Sequence, residues 1–66
     1  MVVEIIGIYG MSDRVKGYYR KTNTSYEFVT RKGRATVLTK EQADAIMANK
    51  DFYLKEYKAK QLRIIT

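Results

Sequence analysis

Val2, Val3, Ile5, Ile6 and Ile8 occupy both alternating sets of positions at the start of the chain, interrupted only by Glu4. That pattern predicts a strand over residues 2 to 9, covered on both faces and central in its sheet. Gly10, Met11, Ser12 and Asp13 predict a turn. Residues 14 to 21 then alternate, with Val15 and Tyr19 to one side and Arg14, Lys16, Tyr18 and Arg20 to the other. A polar turn at Thr22, Asn23 and Thr24 precedes a third strand over about residues 25 to 30, carried by Tyr26, Phe28 and Val29. Arg31, Lys32, Gly33 and Arg34 read as a hairpin loop in which the glycine supplies a positive φ, followed by a fourth strand over about residues 34 to 38.

Thr39 and Gln42 stand three apart, the spacing of a capping box, in which each side chain satisfies a free backbone N–H of a helix start. The helix it opens runs from Lys40 to about Ala48, turns Ala43, Ile46 and Met47 to the sheet, and ends at Asn49 in a left-handed conformation. Beyond it, Phe52, Leu54, Leu62, Ile64 and Ile65 anchor one bent strand, or two short ones at about 52 to 57 and 61 to 65. A second helix from Leu54 to Ile65 competes, because positions 54, 57, 61, 62 and 65 keep helical spacing. The expected fold class is α+β: a small antiparallel sheet of four to five strands with one short helix packed on one face, in the order β-β-β-β-α-β. Val3, Ile5, Val15, Tyr19, Phe28, Val37, Phe52, Leu54 and Ile64 are its expected core partners for the helix.

Sixty-six residues allow one domain, residues 1 to 66, with a thin core. Cysteine and histidine are both absent, so there is no disulfide, and the usual zinc, haem and iron–sulfur ligand sets are missing. Stability must come from packing or self-association. No stretch approaches the roughly 20 apolar residues that span a bilayer. The first apolar run carries Glu4 and lacks a basic leader, so it does not read as a signal peptide, and the expected location is cytoplasmic.

The same absences argue against catalysis, which most often recruits histidine as acid or base and cysteine or a base-paired serine as nucleophile. Ser12 and Ser25 lie in or beside turns, where hydroxyls bond nearby backbone. Glu41 suits the start of the helix, and Asp44 its solvated outer face. Gly7 and Gly10 lack the third glycine and the Gly-Lys-Ser/Thr ending of a phosphate loop, and Asn23-Thr24-Ser25 matches the glycosylation pattern only by chance. The chain therefore reads as a binding module, with no cofactor, no metal site and no catalytic residue.

Charge gives that module a direction. Thirteen Lys and Arg against seven Asp and Glu leave a net +6, which attracts polyanions. Residues 14 to 34 hold seven of the cations, Lys21 included, and one carboxylate, Glu27. Arg14, Lys16, Tyr18 and Arg20 on strand two, with Arg31, Lys32 and Arg34 at the hairpin, form the candidate nucleic-acid-binding strip, phosphates meeting the cations and an unpaired base stacking on Tyr18. Edge strands also carry lysine and arginine simply to discourage sheet pairing. Two other partners fit the same features: an acidic protein surface, which would make this an interaction or inhibitory module, and a second copy joined through strand edges. In general style the chain resembles small accessory proteins of phages and prophages. The aromatic motifs of RRM domains, the KH loop in its helical setting and the helix-turn-helix pattern are not evident.

Overall fold

The computed structural model describes all of residues 1–66. Strands β1 (Val2–Ile6), β2 (Gly17–Lys21), β3 (Tyr26–Val29) and β4 (Gln61–Ile65) form one antiparallel sheet in the order β3-β2-β1-β4. Helices α1 (Lys40–Ala48) and α2 (Lys50–Tyr57) lie between β3 and β4 in the chain and pack together on one face of that sheet. The α+β class and the central place of the first strand are as the apolar pattern implies.

The register assigns the faces. Ile5 stands opposite both Gly17 and Leu62, and Tyr19 opposite Phe28, so Val3, Ile5, Tyr19, Phe28, Leu62 and Ile64 share the helix side. There Val3, Ile5, Tyr19 and Leu62 bury themselves against Ala43, Ile46 and Tyr57. The other face carries no helix, and across it Val29, Tyr18, Glu4 and Arg63 stand side by side on the four strands, with Val2 and Glu4 of β1 buried there. Glu4 is only 3% exposed. Its carboxylate survives burial because Arg63 Nη2 donates to Oε1 at 2.7 Å and Lys16 Nζ lies 3.9 Å away.

Several boundaries differ from the pattern, each for a local reason. β1 ends at Ile6 because Gly7 turns the backbone at φ 73°, and Ile8 then folds back into the core. β2 starts at Gly17, since residues 12 to 15 close a turn with Val15 N–H donating to the Ser12 carbonyl at 2.9 Å. Gly17 is where Ile8 returns: a Cβ there would come within 2.8 Å of Ile8 Cδ1.

The expected fourth strand over residues 34 to 38 is absent. Residues Lys32–Arg34 form a 3₁₀ turn, and Gly33 is not among the positive-φ glycines. The chain after it is extended but unpaired as a ladder: it wedges between the ends of β1 and β2, with Thr36 N–H on the Tyr19 carbonyl at 3.0 Å and Leu38 N–H on the Met1 carbonyl. Leu38 thereby enters the core, and Val37, an expected core residue, is left 78% exposed.

Residues 52 to 57 are also a helix and not a strand. Thr39 and Gln42 make the full capping box of α1, but Asn49 does not adopt a left-handed conformation (φ −109°, ψ 26°). It donates through Nδ2 to the Ala45 carbonyl at 3.1 Å and accepts from Phe52 N–H, so α1 bends directly into α2. Lys58 takes the left-handed role, at φ 52°, and ends α2. Helical spacing places Tyr53, Leu54 and Tyr57 toward the sheet and leaves Phe52 more than half exposed, against its expected place in the core; Phe28, on the outer strand, is also partly exposed.

The helices meet β2 and β3 through rings. Tyr26 packs edge-on to Tyr53 at 5.1 Å and to Tyr57 at 5.8 Å, and Phe28 edge-on to Tyr57 at 6.1 Å. Burial holds the Tyr57 hydroxyl well above the usual tyrosine range, with the nearby phenols of Tyr19, Tyr26 and Tyr53 adding to it. Because the fold favours the neutral phenol, its contribution is fully present below a pH of about 10 and is lost as pH rises toward the folded-state value. Tyr57→Phe has no such proton to lose. It should carry the alkaline unfolding limit, followed by circular dichroism, to higher pH; an unchanged limit would contradict this role.

Candidate nucleic-acid interface

The seven residues of the candidate strip lie on β2, in the turn before it, and in and beside the 3₁₀ turn that follows β3. Tyr18 and Arg20 are on β2 and share the helix-free face, both half-buried. Arg20 is engaged twice: Nε lies 3.7 Å from Glu27 Oε1, and Nη1 donates to the Arg34 carbonyl at 2.8 Å. That second bond ties β2 to the 3₁₀ turn. Lys16 precedes β2 and is drawn toward Glu4, and Arg14 sits in the turn before it, its N–H on Ser12 Oγ at 3.3 Å. Arg31, Lys32 and Arg34 are exposed, and none of them makes an ion pair; Arg31 and Arg34 flank a hollow beside Val29 and Thr30.

What gathers the cations is strand order. Ile6 is paired with Gln61, Ile5 with Gly17 and Val29 with Tyr18, so the end of β1, the start of β2, the end of β3 and the start of β4 lie together. The segments 7–16, 30–32 and 58–60 all emerge at that end. They bring Arg14, Lys16, Arg31, Lys32, Lys58 and Lys60 to it; within these segments Asp13 is the sole carboxylate, and Lys16 also faces Glu4 of β1. Tyr9 N–H donates to the Lys58 carbonyl at 2.8 Å and Lys60 N–H to the Ile6 carbonyl at 2.9 Å, which lock two of the three segments together.

Lys58, Lys60 and Tyr9 are therefore parts of this surface that alternation could not reveal. A faint signal was present: the lysines flank the start of the last strand, and a tyrosine sits between two turn glycines. Their convergence needs the antiparallel pairing of β1 with β4. Lys55 stays apart on α2, and Arg63 is turned to Glu4.

No group of three or more Asp and Glu side chains gathers to hold a metal ion. No helix is long and apolar enough to cross a membrane. Comparison of the chain with family models, curated proteins and solved structures returns no match.

Proposed function

We propose that this protein is a non-catalytic nucleic-acid-binding module of the cytoplasm, working through the basic end of its sheet. The observation that carries the reading is the convergence of Arg14, Lys16, Arg31, Lys32, Lys58 and Lys60 from three separate chain segments that hold one carboxylate, Asp13, with Glu4 of β1 facing Lys16. Such a density of cations on a small rigid end neutralises consecutive phosphates and releases their counterions. Tyr18 extends the surface onto the helix-free face of the sheet, where the Arg34 carbonyl receives Arg20. The helices, on the opposite face, leave it clear.

Fluorescence anisotropy with labelled single-stranded DNA, duplex DNA and RNA tests the reading. Six phosphate contacts imply an affinity for duplex that falls on the order of a thousandfold between about 50 and about 200 mM salt. Replacing Arg31 and Lys32 together by alanine should make the slope of log affinity on log salt shallower by about 1.8 for duplex and about 1.4 for a single strand. Absence of binding to all three at the lower salt would sink the proposal.

Self-association has one observation of its own. Thr22 and Ser25 are hydrogen-bonded across the β2–β3 turn, so alternation turns the backbone groups of Tyr26 and Phe28 outward along an unpaired edge. A solution mass well above 7.7 kDa that rises with concentration would favour that reading. An acidic protein partner would meet the same basic end and would compete with nucleic acid for it.

A further inference from the structure

Of the six tyrosines, Tyr18, Tyr19, Tyr26, Tyr53 and Tyr57 are half-buried or buried, and Tyr9 alone is 82% exposed. Its ring is not loose at a frayed end. The Tyr9 N–H is bonded to the Lys58 carbonyl, Met11 N–H to the Ile8 carbonyl at 3.1 Å, and Gly7 and Gly10, at φ 73° and 82°, make the reversals on either side. An aromatic side chain held outward on a fixed backbone gives up the burial that such rings normally find.

Beside it lies a hollow of about 390 Å³ whose rim carries Lys58, Lys60 and Asp13. Both ammonium groups are without an ion pair. The stem of Lys60 crosses Gly7 so closely that a Cβ there would stand 2.9 Å from its Cβ, Cγ and Cδ atoms, which fixes where the lysine starts its reach. A flat ring next to two free cations matches one chemistry in two parts, a nucleobase and its phosphate.

We infer that Tyr9 is the stacking platform for an unpaired base, with Lys58 and Lys60 holding the adjoining phosphate, so that the nucleic acid bound is single-stranded at this point. The inference rests on the nucleic-acid reading above and narrows it. A duplex keeps its bases stacked on one another and offers Tyr9 no free face, whereas any single strand does, whatever its sequence.

The test compares labelled oligothymidylate of about twelve nucleotides with a duplex of the same length, within the site sizes of single-strand binders. Tyr9→Ala should weaken the single strand by about 5- to 150-fold, the range of one lost base stack, and leave the duplex within about twofold. The chain has no tryptophan, so Tyr9→Trp provides a single indole, excited selectively beside the five remaining tyrosines, whose emission should be quenched by oligothymidylate and not by duplex. With the wild type binding, an unchanged single-strand affinity, an equal loss on both probes, or an unquenched tryptophan would overturn the inference and leave the basic end standing. If the wild type binds neither probe, both readings fall together.

Discussion

Tyr57→Ala is expected to remove a large fraction of the chain's stability. Tyr57 is 9% exposed and its ring is packed against Tyr26 and Phe28 of β3 as well as Tyr53 of α2. Truncating a buried aromatic to alanine costs about 3–5 kcal/mol, because the neighbours collapse only partly into the space. A chain of this length holds about 3–10 kcal/mol in total. The better helix propensity of alanine returns at most about 0.5 kcal/mol. Phe52→Ala, earlier in the same helix at a site 53% exposed, is the matched control and should cost less than about 1.5 kcal/mol. Tyr57→Phe removes only a 3.4 Å hydrogen bond to the Glu27 carbonyl and should stay within about 1 kcal/mol of wild type. Urea unfolding followed by circular dichroism gives all three values; equal losses for Tyr57→Ala and Phe52→Ala would contradict the place given to this ring.

The second large effect is an asymmetry across one ion pair. Arg63→Ala leaves the Glu4 carboxylate buried with only Lys16 at 3.9 Å, and breaking a buried pair from the exposed side strands the charge that water cannot reach. A loss of about 2–4 kcal/mol is expected, somewhat below the usual range because Lys16 can close part of the gap. Glu4→Gln leaves instead two cations whose side chains are 52% and 47% exposed and remain hydrated, and should cost about 1–2 kcal/mol. Urea midpoints showing Glu4→Gln to be the more damaging change would refute the account of the helix-free face.

The legibility of these features in the sequence followed their range. The capping box of Thr39 and Gln42 is a contact between neighbours, and the helix it opens has the expected bounds. The central strand was legible because apolar residues on both alternating sets leave a strand no exposed face. Glu4 was visible as the exception in that run, but its partner Arg63 lies 59 residues away and is found only through the β1–β4 register. In residues 52 to 57, the pairs 52/54 and 53/57 fit alternation as well as 53, 54 and 57 fit a helix turn. The bend at Asn49, which continues α1 into α2, decided between them. Strand two was read three residues too long because Arg14, Val15 and Lys16 continue the alternation of β2 through a turn.

The candidate site was legible as residue types and not as an arrangement. Four residues of the proposed strip were chosen by alternation along strand two and three from the loop at 31 to 34, yet Arg20 is held by Glu27 and the Arg34 carbonyl, and Lys16 is drawn to Glu4. The stronger grouping joins positions 14 to 16, 31 to 32 and 58 to 60. Nothing local couples those segments; the strand order does.

That grouping is tested most directly by a ¹⁵N–¹H correlation spectrum of the full chain titrated with an oligothymidylate of about twelve nucleotides at low salt, where phosphate contacts are strongest. The expected result is progressive shifts of amides in segments 7–16, 30–34 and 58–60, with residues 40 to 52 of the helical layer unmoved. Shifts centred instead on β3 and α2, or a spectrum that does not change, would contradict the basic end as the binding surface.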